Sequence, residues 1–179
     1  AMEAIPPHQL PGETVQYLMD SVYCPASELQ TKVAEDFHYW EGGAKIAAMR
    51  DWIKSNIEYT AGASDATTTA ADTMASGQGV CRDFAHVLIT LARASAIPAR
   101  FASVFAPDVT PPDFHAVAEV FLANPNGEGG SWHLVDPTGM AKEHEMAKIG
   151  VGRDAADVSF LTSYGWAELL DKQINVTRC

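Results

Sequence analysis

The stretch from Gly77 to His86 (GQGVCRDFAH) constrains the fold more than any other part of this chain. Gly77 and Gly79 favour a tight turn, because glycine adopts backbone conformations that other residues avoid. Cys81 follows the turn, and residues Asp83 to Ala96 have the apolar periodicity of a long helix. The apolar positions with this spacing are Phe84, Val87, Leu88, Leu91 and Ile97. Cys81 is therefore predicted to lie in the first turn of a buried helix.

The first turn of a helix is a chemically distinctive place for a cysteine. Its unpaired N–H groups and the helix dipole favour an anion. A thiol at such a position loses its proton more readily, and the thiolate is the nucleophilic form. Cysteine is also common as a small apolar residue in protein cores. Cys81 is thus a candidate nucleophile whose assignment depends on finding a base nearby.

The composition is that of a soluble globular protein, and we predict one domain over residues 1–179. The chain has 47% hydrophobic and 20% charged residues, and its 179 residues suffice for a single substantial core. The formal net charge of −11, without a basic patch, argues against a nucleic-acid partner. No apolar run reaches the length of a membrane span, so no membrane partner is expected.

The cysteine content favours a reducing compartment. Cys24, Cys81 and Cys179 are an odd and sparse set, which does not suit a disulfide framework. Free thiols are typical of the cell interior, and the sequence shows no signal peptide. We therefore expect a cytoplasmic location, whereas the sequence leaves the oligomeric state open.

Helical patterns precede strand patterns along the chain, which predicts an α+β fold. Residues 1–25 form an extended and partly helical lead-in. Before the cysteine helix, further helices are predicted over 28–39, 44–57 and 70–76. Strands are predicted over 99–106, 115–122 and 131–136, with one or two more over 157–176. Residues 59–69 are predicted to form a loop, and 141–150 fit no single pattern. The strands are expected to form an antiparallel sheet packed against the cysteine helix.

A nucleophilic cysteine needs a base, and His115 is the histidine best placed to supply it. It opens a strand directly after a loop, whereas His86 lies five residues past Cys81 and points away from the thiol. If the strand that begins at His115 and the strand that ends at Asp136 form a hairpin, these two residues lie side by side. Cys81, His115 and Asp136 are therefore predicted to be the nucleophile, the base and the group that orients the base.

The residues alone leave alternatives open for this site. A histidine at a strand edge and an Asp-Pro turn are both common structural features. The same Cys, His and Asp side chains would also suit zinc. No short C-x-x-C or H-x-x-x-H pair is present, so we predict no metal.

Acyl transfer at Cys81 would also require donors for an oxyanion. The backbone N–H of Cys81 is the first candidate donor. Gln78, three residues upstream, is a candidate for the second, although a solvent-facing polar role suits Gln78 equally well.

Four segments of the chain resemble the transglutaminase-like core, in particular its bacterial branch. They are GVCRDFAH with the following AIPAR (79–86, 96–100), FHAVAEV (114–120), WHLVDPT (132–138) and VGRDAADV (151–158). The resemblance covers residues 26–160 and implies a papain-like fold, with Cys81, His115 and Asp136 as its catalytic residues. Many relatives carry Trp where Val117 stands, which implies different substrate contacts. Bacterial relatives often carry an N-terminal β domain that this sequence lacks, so a missing domain is one expectation.

The predicted chemistry is acyl transfer on a peptide or protein amide without a cofactor. The Cys81 thiolate attacks the carbonyl, and His115 protonates the leaving amine to give a thioester. If water then attacks, the protein is a peptidase or amidase, which is the activity we expect. If an amine attacks, the protein is a cross-linking transglutaminase. A non-catalytic binding module with the same fold is the third alternative.

Overall fold

A four-stranded antiparallel sheet is the centre of the structure, a computed structural model that describes residues 2–110, 112–159, 162–168 and 170–178. The strands are β1 (Glu58–Tyr59), β2 (Gln78–Gly79), β3 (Ala99–Phe105), β4 (His115–Ala123), β5 (Gly130–Val135) and β6 (Ala147–Gly152). The α-helices are α1 (Gly12–Val15), α2 (Gln30–Asp36), α3 (Gly42–Asn56), α4 (Ala70–Ser76) and α5 (Cys81–Ala94). Short 3₁₀ helices are formed by Pro7–Gln9, Gln16–Leu18, Ala26–Leu29 and Glu143–Glu145.

The main sheet has the strand order β5-β4-β3-β6, and each neighbouring pair is antiparallel. β4 lies inside the sheet and is buried along its length except at Ala123. Its two faces belong to different clusters: Ala118 and Val120 pack with α5, whereas Val117 packs with Ala102 and Val104. This mixture of helices and an antiparallel sheet confirms the predicted α+β fold.

Helix α5 lies between the sheet and helices α2, α3 and α4. Every residue from Asp83 to Arg93 is buried, as expected for a helix that is covered on all sides. Its contributions to the main core are Phe84, Ala85, Val87, Leu88, Ile89, Leu91 and Ala92. Burial of one large apolar side chain stabilises a fold by about 1.5–3 kcal/mol. The core therefore fixes α5, and with it Cys81, relative to the sheet.

Two glycines determine how the chain enters α5. Gly77 ends α4 in the left-handed conformation, with φ +68°, which glycine adopts without steric penalty. A Cβ atom at Gly79 would lie only 2.8 Å from Cβ of Asp83. Because neither position readily accepts a side chain, the turn is specific to glycine and makes Cys81 the first residue of α5.

The strand prediction for the C-terminal region is wrong. The described part of 157–176 contains no strand, and residues 160, 161 and 169 lie outside the description. The fourth strand of the sheet is instead β6, which falls largely within the stretch without a clear pattern. β6 forms because it pairs with the edge of β3 over Phe101–Phe105, a long-range contact that no local sequence pattern reports.

The helix and loop predictions need smaller corrections. The helix predicted over 28–39 is a 3₁₀ turn followed by α2, and α3 begins at Gly42 rather than at residue 44. The loop predicted from residue 59 contributes Tyr59 to β1, because β1 pairs in parallel with β2. Among the described residues, no helix combines the length and hydropathy needed to cross a membrane.

Candidate active site

Cys81 lies beside a cavity of about 730 Å³ at the N-terminal end of α5. Its side chain is partly accessible, and its neighbour Arg82 also lines this cavity. Cys24, by contrast, is fully buried, and burial raises the pKa of its thiol to about 11. Both thiols are free, and Cys179 lies outside the described residues. Of the described cysteines, Cys81 is therefore the one placed to meet a substrate.

His115 and Asp136 are brought together by the register of the sheet. Ala118 of β4 pairs with Val135 of β5, so the first residue of β4 lies beside the residue that follows β5. Nε2 of His115 lies 2.9 Å from Oδ2 of Asp136, and both side chains are buried. His115 also lines the cavity beside Cys81, so the structure brings the three predicted site residues to one place.

The carboxylate of Asp136 is held by donors on both oxygens. Oδ2 accepts from His115 and from the backbone N–H of Ala141 at 2.8 Å. Oδ1 accepts from the backbone N–H of Thr138 at 2.9 Å and from its hydroxyl at 2.7 Å. Burial by itself would raise the pKa of Asp136, but these bonds, led by the one from His115, lower it below its usual value. The carboxylate is therefore ionised and fixed in orientation.

The imidazole of His115 has one nitrogen bound to Asp136, and the ring shares the cavity lining with Cys81. With Nε2–H donating to Asp136, Nδ1 is buried and has no hydrogen-bond partner within ordinary geometric limits among the described residues. Burial lowers the pKa of His115, but interactions with Asp136 and with the Cys81 thiol outweigh it and raise the pKa to about 9. The ring is therefore positively charged at neutral pH and suited to pair with a thiolate.

Asp83 and Arg82 support the start of α5. The Asp83 carboxylate accepts from the backbone N–H of Val80 at 2.8 Å, which satisfies a donor at the helix entry. Arg82 donates to the other oxygen of Asp83 at 2.9 Å and to the carbonyl oxygen of Asp65 at 2.6 Å. These bonds tie the loop before α4 to the start of α5 and fix the backbone around Cys81.

The other predicted positions lie away from the cavity. Gln78 is exposed on β2, opposite Glu58, and is absent from the described lining of the cavity, so its role in binding an oxyanion stays a prediction. Val117 is fully buried against Ala102 and Val104 and is absent from the described lining of the cavity, so its effect on substrate contacts stays a prediction. No group of three or more His, Cys, Asp and Glu side chains in the described ranges is arranged to hold a metal ion.

A buried polar cluster secures the loop that forms one wall of the cavity. Arg93 donates to the carbonyl oxygens of Met19, Ala99 and Arg153, and so joins three distant segments. Asp154 accepts from the backbone N–H of Tyr23 at 3.0 Å. The motif at 151–158 therefore has a long-range structural role.

His86 joins the same cluster through a different contact. It stacks on the ring of Tyr23 at 5.0 Å, and its Nε2 accepts from the backbone N–H of Ala155 at 3.2 Å. Burial lowers the pKa of His86 to about 4, so the ring is neutral. The orientation of His86 away from the thiol stays a prediction.

Sequence reasoning assigned no role to several residues that surround the predicted site residues. Thr138 and Ala141 follow the Asp-Pro turn, and Thr138 was visible in the WHLVDPT segment without an assigned role. Tyr59 lies 22 positions before Cys81, in the predicted loop, and the β1–β2 pair places it opposite Gly79, two residues before Cys81. A strand of two residues is too short to show the alternation of apolar and polar residues that identifies strands. No local signal in the sequence could therefore have identified Tyr59.

The comparisons agree with this architecture. Residues 22–137 match the family model described as the transglutaminase-like superfamily. The chain belongs to the transglutaminase-like superfamily. An uncharacterized protein of Mycobacterium leprae (strain TN) is 31% identical over 144 residues, which are 75% of this chain and 50% of that protein. The matched family region contains all three predicted site residues, Cys81, His115 and Asp136.

Two solved structures show the same fold. A "putative cysteine protease" from Cytophaga hutchinsonii aligns with a TM-score of 0.81 and 39% identity, over 88% of this chain and 53% of that one. The periplasmic domain of TgpA from Pseudomonas aeruginosa aligns with a TM-score of 0.55 and 21% identity, over 73% of this chain and 48% of that one. The chain thus spans about half the length of these relatives.

Proposed function

We propose that this transglutaminase-like protein is a cysteine peptidase or amidase that cleaves peptide or protein amides through a thioester on Cys81. The observation that carries the proposal is the 2.9 Å contact between His115 and Asp136 at the cavity beside Cys81. The three side chains suit the roles of nucleophile, base and orienting group. The name of the Cytophaga structure, a "putative cysteine protease" with 39% identity, supports proteolysis as the reaction.

The acylation step follows from the charges of these groups. The Cys81 thiolate forms a bond to the carbonyl carbon, and the carbonyl π electrons move to oxygen. When that tetrahedral species collapses, the C–N bond breaks and the amine leaves with the proton from Nδ1 of His115. Asp136 stays ionised and holds the ring through Nε2, because its carboxylate is fixed by Thr138 and Ala141.

Deacylation uses the same groups in reverse. Neutral His115 removes a proton from water as its oxygen attacks the thioester carbonyl, and the thiolate leaves. An amine in place of water would give a new amide instead of an acid. The acceptor therefore distinguishes hydrolysis from cross-linking, whereas the acylation step is common to both.

A peptide-library incubation tests the proposal. The protein is mixed with a library of peptides, with and without a primary amine such as putrescine, and the products are read by mass spectrometry. Hydrolysed peptides in both samples support the peptidase or amidase activity. Products joined to putrescine would reassign the protein as a transglutaminase. The absence of products, together with alkylation of Cys81 by iodoacetamide no faster than that of free N-acetylcysteine at the same pH, would favour a binding module. Cys81→Ala is the control for contaminating peptidases.

The cytoplasmic location stays a prediction from the cysteine content. One fold neighbour is a periplasmic domain, at 21% identity. Fractionation of the source cells with an antibody against this chain would test the location, and recovery in a fraction other than the cytoplasm would contradict it.

A further inference from the structure

Tyr59 lies next to the start of helix α5. In the parallel β1–β2 pair, Tyr59 lies opposite Gly79, two residues before Cys81. The adjacent backbone bond, from the N–H of Thr60 to the carbonyl oxygen of Gly79, is 2.9 Å long. The phenol ring reaches Phe84, three residues after Cys81, with 5.8 Å between the ring centroids. Because the backbone is anchored before Cys81 and the ring contacts the helix after it, the phenol lies at the first turn of α5, the turn that contains Cys81.

The surroundings of the Tyr59 hydroxyl agree with this placement. Burial and the negative charge of a Cys81 thiolate raise the pKa of Tyr59, while the backbone N–H of Cys81 acts in the opposite direction by interacting with the phenol oxygen. The hydroxyl is thus neutral at physiological pH and retains its proton to donate. Tyr59, like Gln78, is absent from the described lining of the cavity, but the residue is 41% exposed, so its hydroxyl is not closed off from a carbonyl group at Cys81.

We propose that the Tyr59 hydroxyl is the second donor of the oxyanion hole, alongside the backbone N–H of Cys81. The inference rests on the proposed function, because an oxyanion forms only if Cys81 attacks a carbonyl. As the thiolate bonds to the carbonyl carbon, negative charge moves to the oxygen, and both donors bind it. On collapse the C=O bond re-forms and the hydrogen bonds weaken, so Tyr59 neither gains nor loses a proton.

Tyr59→Phe isolates the hydroxyl, since the ring can keep its contact with Phe84. Two probes of Cys81 are compared by intact-mass spectrometry. Acylation by p-nitrophenyl acetate passes through an oxyanion, whereas alkylation by iodoacetamide does not. We expect Tyr59→Phe to acylate about 100- to 1000-fold more slowly, since loss of one oxyanion donor has an effect of this size, and to alkylate at the wild-type rate. Tyr39→Phe, at a position 82% exposed, is the matched control.

Any other result would contradict either the role of Tyr59 or the proposed function. An unchanged rate of acylation, or an equal loss in both reactions, removes Tyr59 from the oxyanion hole. If the rate of acylation falls more in Gln78→Ala than in Tyr59→Phe, Gln78 rather than Tyr59 is the second oxyanion donor. If p-nitrophenyl acetate fails to acylate Cys81 in the wild-type protein, it is the proposed function that fails.

A separate observation concerns the side chain that the cavity accepts. In the β3–β6 pair, Ser103 lies opposite Gly150 and Val104 opposite Lys148, so Ile149 is an extra residue in a β-bulge. Bulges redirect side chains, and Ile149 is 51% exposed and lines the cavity. No Asp or Glu is found among the described residues that line the cavity. Of the described lining residues, His115 and Arg82 carry positive charge, and Arg82 is already bonded to the Asp83 carboxylate and to the carbonyl oxygen of Asp65.

We infer that this cavity takes an apolar side chain of the acyl donor, an inference that also rests on the proposed function. A lysine or arginine of the substrate would enter without a carboxylate partner and beside Arg82, which is electrostatically unfavourable. An acidic side chain would compete with the bonds that Arg82 already makes. An apolar side chain would bury surface against Ile149, Phe101 and Val158 without these costs.

Four N-acetyl amino acid p-nitrophenyl esters, of Phe, Leu, Lys and Asp, provide the test. We expect Cys81 to be acylated at least tenfold faster by the Phe and Leu esters. Ile149→Asp is expected to reverse the order between the Leu and Lys esters. Val151→Asp, an exposed position on the same strand that is absent from the described lining, is the matched control. Equal rates with all four esters, or the same change in both variants, overturn the inference, whereas failure of every ester to acylate Cys81 contradicts the proposed function.

Discussion

His115 donates through Nε2 to Asp136 over 2.9 Å, and this bond connects the first residue of one strand to the residue that follows its neighbour. The bond fixes which nitrogen remains for Cys81. Because Nε2 is committed to the carboxylate, Nδ1 is the atom available to accept or return a proton at the thiol. In the proposed mechanism, the register of β4 and β5 therefore determines the geometry of proton transfer.

The Asp136→Asn substitution is expected to lower the pKa of His115 from about 9, because the amide cannot stabilise the imidazolium as the carboxylate does. The alkaline fall of kcat/KM, which marks loss of the imidazolium, should therefore move to lower pH. The measurement is the pH profile of alkylation or turnover for both proteins. An alkaline limb at the same pH in both would mean that Asp136 does not set the charge of His115.

The same substitution should also lower stability. Both oxygens of Asp136 accept hydrogen bonds, and an amide NH₂ would face the donors of Thr138 or Ala141. A loss of about 1–3 kcal/mol in the free energy of unfolding follows from leaving such a group unsatisfied. Urea unfolding of the wild type and the variant measures it. An unchanged midpoint and slope would show that the turn rearranges to accept the amide.

The stability contribution of His115 depends on pH in a definite direction. Its pKa in the folded protein, about 9, lies above the ordinary value of 6.5. The contribution is therefore fully present below pH 6.5 and is lost as the pH rises through about 9. We expect the difference in unfolding free energy between the wild type and His115→Ala to shrink over this interval, as measured by urea unfolding from pH 6 to 10. A constant difference would contradict the raised pKa.

The three candidate site residues could be predicted from the sequence, whereas several of the elements that surround them could not. The cysteine, the histidine and the aspartate could be placed because a helix start, a strand start and a strand end are each visible in local patterns. Tyr59 and the strand at Ala147–Gly152 could not be predicted, because each depends on pairing with a distant segment. Arg93 illustrates the same limit, since its three carbonyl partners come from separate parts of the chain.

Selective alkylation should distinguish Cys81 from Cys24. Cys24 is fully buried and its pKa is raised to about 11 by burial, so little thiolate is present and reagents cannot reach it. Iodoacetamide at pH 6 should therefore modify Cys81 much faster, as read by peptide mapping, with Cys179 followed separately. Denaturation in urea should remove the difference and serves as the control. Equal rates in the native protein would contradict the proposed reactivity of Cys81.

Loss of turnover should follow the roles of the three side chains. Cys81→Ala removes the nucleophile and should abolish turnover of a peptide amide. His115→Ala should be less damaging, and Asp136→Asn the least, because the resting pair of thiolate and imidazolium can still form. Turnover is measured with a peptide identified in the library incubation. Residual wild-type turnover in Cys81→Ala would end the proposed mechanism.

Gly79→Ala tests the turn that positions the nucleophile. The added methyl group would lie 2.8 Å from Cβ of Asp83 and 3.2 Å from Cγ2 of Thr73, so the start of α5 must shift. Overpacking of this kind costs about 1–3 kcal/mol. Gly12→Ala is the matched control, because nothing lies within 4 Å of a Cβ at that position. We expect a lower melting temperature and slower alkylation of Cys81 in Gly79→Ala alone. If both variants melt and alkylate like the wild type, the close approach at Gly79 does not control the position of Cys81.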